Sequence, residues 1–113
     1  DFSPDGARLA LSINSATSPS DVYVVDLAAA TLERWTQSEV GGLDASRFAT
    51  PELIRYRSFD GRSIPAFYYR PASVEGKVPV VINIHGGPEA QAFPTFNPAI
   101  QFLVNELKVA VLV

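Results

Sequence analysis

The chain has 113 residues, of which 47% are apolar, and its 9 basic and 12 acidic side chains leave a net charge of −3. That balance is ordinary for a globular protein and gives no electrostatic case for nucleic acid or an anionic membrane surface. With no cysteine and a single histidine, disulfides and thiolate metal sites are excluded, zinc is disfavoured, and no cofactor is expected. The lack of cysteine suits a reducing, cytoplasmic setting, and no apolar run approaches the roughly 18 residues of a membrane span.

Residues 1–36 read as β-structure. Ser3-Pro4-Asp5-Gly6 is a turn signal, because Pro presets φ, Asp caps the turn and Gly takes a positive φ. Arg8 to Ile13 follows as a strand, with Leu9, Leu11 and Ile13 on one face at period two. Asn14 to Asp21 is rich in Ser, Thr, Asn and Pro and reads as a loop. Val22 to Leu27 is strongly β-prone, and Leu32 to Thr36 is a weaker third strand. One such unit cannot cover both of its own faces, so neighbours are expected on each side.

Residues 37–50, with Gly41-Gly42 and no clear period, read as an irregular linker anchored by Leu43 and Phe48. From Pro51 the pattern changes. Leu53 to Phe59 and Arg62 to Arg70 are extended runs joined by Asp60-Gly61, a strong hairpin signal. Pro65 inside the second run argues for an edge or a bulge. Val78 to Ile84 is a continuous apolar run of the kind buried on both faces of a parallel sheet. Asn97-Pro98 opens a helix, with Asn as N-cap and Pro at the first helical position, and Ile100, Leu103, Val104 and Leu107 follow along one face. The strand at Val109 then completes a β-loop-α-β unit, expected to cross over right-handedly and pair in parallel. The chain opens on Asp1, contains no methionine and closes on an apolar run. It is therefore expected to be a segment of something longer.

The chemistry points to His85-Gly86-Gly87-Pro88, directly after the apolar strand, at the edge where open parallel sheets place their ligands. Two glycines let the backbone turn sharply and bring bare N–H groups close to a ligand. Pro88 disfavours the helical region for Gly87 and so directs the turn. A pocket of backbone amides suits acyl transfer, in which a carbonyl oxygen becomes an oxyanion.

Phe2-Ser3-Pro4-Asp5-Gly6, a strand, a loop and Asp21-Val22-Tyr23-Val24-Val25-Asp26-Leu27 resemble the repeat of bacterial β-propellers, including those of peptidases. Ile84 to Glu89 sits where α/β-hydrolases carry their HGG-type oxyanion element. Together, blade, linker, Asp-Gly hairpin, strand, HGGP, helix and strand resemble the prolyl oligopeptidase family of serine peptidases, nearest to its acylaminoacyl-peptidase and dipeptidyl-peptidase-like members. The resemblance implies a mixed fold: a partial β-propeller blade over 1–36, a linker over 37–50, and the N-terminal part of an α/β-hydrolase domain over 51–113. It also implies a short peptide substrate, with the remainder of the propeller and hydrolase domains as partners. Within the site, it implies that the Gly87 amide, beside Gly86, helps bind the oxyanion and that His85 positions the loop.

The sequence carries no Gly-x-Ser-x-Gly. His85 precedes any nucleophile elbow, the reverse of the α/β-hydrolase order of Ser, Asp and His. Ser58, Ser63 and Ser73 lack the elbow's glycines. The chain alone is therefore expected to contribute one wall of a site without a nucleophile. Glu89 could meet a substrate amino group, although a solvated loop carboxylate is the plainer reading. Arg55, Arg57, Arg62 and Arg70 read as a solvated strand face. Trp35, Tyr56, Tyr68 and Tyr69 read as packing residues at the junction. Open strand edges invite self-association, and a homo-oligomer is a further expectation. The competing functional class is a propeller-derived binding module with a non-catalytic α/β portion. A lipase or esterase of the same fold is a third reading, which the N-terminal blade disfavours.

Overall fold

The computed structural model describes residues 1–87 and 89–113; Pro88 lies outside the described residues. Two sheets form. The first is an antiparallel meander of β1 (Arg8–Ser15), β2 (Ser18–Asp26) and β3 (Thr31–Arg34). The Ser3–Gly6 turn leads into it as expected: the Gly6 amide donates to the Ser3 carbonyl at 2.9 Å, and Gly6 takes φ +69°.

Asn14 to Asp21 is not a loop. β1 and β2 run on to a tight turn at Ala16-Thr17, with Ile13 opposite Asp21, Ser15 opposite Ser18, and a register shift between them. The bulge absorbs the mismatch that the polar, Pro-containing composition suggests. Pro19 costs no ladder bond to β3, because β3 pairs β2 only from Tyr23 onward. The face built from Leu9, Leu11 and Ile13 is only partly covered, and Leu11 and Ile13 stay exposed.

The connector holds one 3₁₀ turn, Ala45–Arg47, capped by Asp44, within the stretch read as irregular. Leu43 and Phe48 are half-buried, and the Phe48 ring meets Phe96 at 5.3 Å between centroids, so the anchoring expectation at Phe48 has an identified partner.

The second sheet contains β4 (Glu52–Arg57), β5 (Ser63–Tyr69), β6 (Val80–Ile82) and β7 (Ala110–Leu112) in the order β4-β5-β7-β6. It is mixed: β5 pairs antiparallel with both β4 and β7, whereas β6 pairs parallel with β7. The β4–β5 hairpin closes through Ser58 and Gly61, the Gly61 amide donating to the Ser58 carbonyl at 3.0 Å with Gly61 at φ +84°. A longer turn with a left-handed glycine thus replaces a two-residue loop. The β4–β5 register is unbroken through Pro65, so there is no bulge there. Phe67 exchanges both backbone bonds with Val113 at 2.9 Å. By the antiparallel alternation the Pro65 nitrogen faces that same side, away from β4, so its missing N–H costs the β4–β5 ladder no bond.

Helix α1 (Pro98–Asn105) begins as the sequence indicates. The Asn97 side chain accepts from the Ala99 and Ile100 amides at 2.9 and 3.2 Å, satisfying donors that the first turn leaves orphaned. It ends earlier than the apolar spacing suggests. The chain turns out at Lys108, which takes φ +58°, and this leaves Leu107 exposed rather than on the buried stripe. Ile100 and Val104 join Tyr69, Val111 and Ala16 in the core, with Leu103, Phe67, Ala49 and Val113 packed against it.

Two further expectations fail. Val78 to Ile84 forms only the short β6, and Val80, Val81 and Ile82 are exposed, Ile82 by 64%. β6 is the last strand in the sheet order and its side chains stay largely open among the described residues, so an apolar composition suited to burial on both faces is left exposed. Trp35 and Tyr56 are likewise exposed, whereas Tyr69 is buried and Tyr68 half-buried.

Candidate functional site

Strand β6 delivers the loop. Its pairing with β7 runs on to Asn83, whose amide donates to the Leu112 carbonyl at 2.8 Å, and the backbone leaves the sheet at Ile84. His85, Gly86 and Gly87 follow at the carboxyl end of this parallel pair, all exposed. Gly87 has φ +71°, a conformation that L side chains rarely adopt. A Cβ built at Gly86 or Gly87 meets no atom within 4 Å. Glycine is therefore required at Gly87 by its backbone conformation, and space around it is open. Among the described residues, no acceptor faces the Gly86 or Gly87 amide.

His85 lies with its Nδ1 3.3 Å from the Gly86 carbonyl oxygen, a contact within the loop. It borders two hollows. The larger is an open apolar groove of about 660 Å³ running past Tyr56, Ile64, Phe67, Ile82, Ile84 and Phe93. The smaller, about 140 Å³, is lined by Tyr69, Asn83, Thr95 and Asn97 as well as His85. Burial raises the pKa of the Tyr69 phenol above its ordinary value, so it stays protonated there. Neither hollow is lined by a serine. Ser58 and Ser63 flank the β4–β5 turn, and Ser73 lies beyond β5. Glu89 is exposed, in the segment that follows Pro88. Among the described residues, no group of three or more His, Asp or Glu side chains could hold a metal.

The arginines divide. Arg55 and Arg57 are exposed on β4, and Arg62 pairs with Asp60 at the hairpin at 3.3 Å. Arg70 instead donates to the carbonyls of Val74 and Gly76 at 3.2 and 2.6 Å, holding the segment that leads towards β6.

Two buried polar residues stand out whose bonding composition and motif did not give. Asp21 is 1% exposed and pairs with Arg34. It also accepts from the Thr36 hydroxyl at 2.8 Å and from the Ser38 amide and hydroxyl at 2.8 and 3.1 Å. Burial alone would raise its pKa, but the bonds from Thr36, Arg34 and Ser38 outweigh it and hold the carboxylate at about 2. Gln101, also 1% exposed, sits on α1 where helical spacing marked only its apolar neighbours. Asp21 lies within the quoted blade motif, so its position was visible, but its partners come from residues on and beyond β3 that no local pattern links to it.

The β-meander, the mixed sheet and the loop after the parallel strand define a fold shared with peptidases of the prolyl oligopeptidase type. A structure from an analysis of two prolyl endopeptidases superimposes with a TM-score of 0.77 at 18% identity, covering 100% of this chain and 16% of that one. The acylaminoacyl peptidase of Pyrococcus horikoshii gives a TM-score of 0.68 at 23% identity over 93% of this chain and 16% of the other. By sequence, the chain is 29% identical over 104 residues to the uncharacterized peptidase YuxL of Bacillus subtilis (strain 168), covering 90% of this chain and 16% of that protein. No protein-family model matches the chain. The chain thus shares its fold with peptidases of the prolyl oligopeptidase type and is similar in sequence to an uncharacterized peptidase, spanning about 16% of the length of the proteins it matches.

Proposed function

We propose that residues 1–113 are the part of a serine-type peptidase that carries the oxyanion loop. In this reading, residues 1–36 belong to a β-propeller blade, 37–50 link it onward, and 51–113 begin an α/β-hydrolase domain. The observation that carries the proposal is the pair of Gly86 and Gly87 amides, without an acceptor among the described residues, at the carboxyl end of the parallel β6–β7 pair.

The chemistry follows from that placement. A serine supplied by polypeptide outside this chain attacks the scissile carbonyl and hands its proton to a base, also supplied from outside. The carbonyl π electrons move onto oxygen. The Gly87 amide, with Gly86 beside it, donates to that oxygen as its charge develops, and this lowers the barrier because the donor is already oriented. His85 keeps the loop in place and exchanges no proton. The tetrahedral adduct then expels the leaving amine, which takes the proton back from the base. In this reading the substrate class is a short peptide, and the exposed Glu89 is the candidate partner for its amino group. The remaining parts of the propeller and hydrolase domains cover the groove beside β6, whose exposed Ile82 and Ile84 favour an apolar partner surface.

A fluorophosphonate probe tests this reading. The complete encoded polypeptide is expected to label once, at a serine outside residues 1–113, while the chain of residues 1–113 takes up no label. Stoichiometric labelling of Ser58, Ser63, Ser73 or any other serine of this chain would overturn the proposal. Absence of labelling in the complete polypeptide would favour the binding-module reading.

A further inference from the structure

The smaller hollow beside His85 has one nearly enclosed polar group in its lining. Tyr69 is 2% exposed, yet its hydroxyl has no hydrogen-bond partner among the described residues, and burial alone raises its pKa. Among those residues no wholly enclosed side-chain oxygen or nitrogen lacks a partner, so the hydroxyl meets open space. Of the two hollows, Tyr69 lines only the smaller. A protonated phenol is a donor, and leaving it unpaired in an interior is disfavoured. Asn83 and Thr95 stand exposed in the same lining with His85. Asn97 spends its side-chain oxygen on the Ala99 and Ile100 amides, which leaves its NH₂ group. The volume of about 140 Å³ has room for several waters, each of roughly 30 Å³ in the liquid, and these groups supply the polar partners that an ordered water needs. The His85 ring offers a matching site. The Gly86 carbonyl can only accept, so the 3.3 Å contact makes Nδ1 the donor and leaves Nε2 of the neutral ring an acceptor.

We propose that Tyr69 is a positioning residue for the His85 loop, acting through ordered water in this hollow. The hydroxyl donates to a water, and the water donates to Nε2 of His85. The ring is then held at both nitrogens, by the Gly86 carbonyl and by the water, and turning it away would strand the Tyr69 hydroxyl. Only hydrogen bonds are made, and no proton changes hands. Tyr69 lies on β5 and packs in the buried cluster with Val104 and Val111, so the relay ties an exposed loop to the core. Its effect on turnover rests on the function proposed above.

Tyr69→Phe keeps the ring and removes only the hydroxyl. A high-resolution crystal structure of the complete encoded polypeptide is expected to show a water about 2.7–2.8 Å from the Tyr69 Oη and hydrogen-bonded to His85 Nε2, and Tyr69→Phe is expected to lack it. A dry hollow, or an Oη bonded directly to a protein group, would overturn the relay whatever the protein catalyses. Kinetics then test the positioning. In Tyr69→Phe, kcat for an aminoacyl substrate is expected to fall about two- to tenfold, the scale of one net hydrogen bond, with KM and the denaturation midpoint little changed. A lowered midpoint with kcat intact would make Tyr69 a packing residue and contradict the proposal, and so would an unaltered kcat with the water present. Should the unaltered protein turn over no such substrate, the peptidase reading fails and the crystallographic comparison alone decides the relay.

Discussion

Residues 8–34 and residues 52–112 both fold as sheets of short strands, but different forces hold them. In the first sheet the most buried side chain is a carboxylate: Asp21 gathers Arg34, Thr36 and Ser38, while Leu11, Ile13 and Leu32 remain exposed. In the second, the buried cluster is mostly apolar, with Val104 and Val111 packed on Tyr69 and Ile100 and the buried Gln101 amide beside them. A three-stranded meander has two faces and no layer of its own to cover either, so directional polar bonds fix its last strand and the segment beyond. The second sheet has α1 against β7, and that is enough to make one small apolar core. The loop with Gly86 and Gly87 follows β6, which pairs with the β7 of this second unit, so its position depends on the apolar core rather than on the polar cluster.

The largest effect that sharpens this comparison is expected at Val104, which has no exposed surface. Val104→Ala should lower the stability of the complete polypeptide by about 2–3 kcal/mol, from lost transfer energy and the cavity left behind. Chemical denaturation measures it, and a loss below about 0.5 kcal/mol would show that α1 does not anchor the second unit.

A pH titration probes the other side. Asp21 has a folded pKa of about 2 against an ordinary 3.8. Its contribution is therefore fully present above about 3.8 and is lost as the pH falls through about 2. Exchange of the Trp35 amide, followed from pH 5 downward with intrinsic rates taken out, should accelerate across that window. Asp21→Asn should remove the step. A step of equal size in the variant would assign it to other carboxylates.

Much of this organisation was legible in the sequence, and the misses share a cause. The Ser3–Gly6 turn, the Asp60-Gly61 hairpin and the Asn97 cap are local devices, each encoded within a few residues, and each appears where the residues indicate. The parallel pairing of β6 and β7 followed from the strand-helix-strand order. The polar run Asn14 to Asp21 was misread because its β-pairing is made with residues on the far side of a tight turn, which composition does not register. Val78 to Ile84 reads as buried from composition, but burial is a property of what packs on a strand, and β6 stays exposed among the described residues. Asp21 and Gln101 are the deeper omissions. A buried polar residue is recognised by its partners, and those of Gln101 lie as far away in sequence as Ala16. At the loop, the two glycines and their place after a strand were visible. The left-handed φ of Gly87 and the hollows beside His85 needed the fold.

The most direct test of the account is the turnover of Gly87→Val in the complete encoded polypeptide. Gly87 sits at φ +71° with open space around it, so a β-branched side chain forces the loop into another conformation without disturbing the core. Under the proposed mechanism the amide would then no longer point at the developing oxyanion, and kcat for an aminoacyl substrate should fall by roughly 10²–10³, the scale for losing one oxyanion donor. The denaturation midpoint should change little. A folded Gly87→Val protein with unaltered kcat would remove Gly87 from the chemistry and contradict the role assigned to this chain.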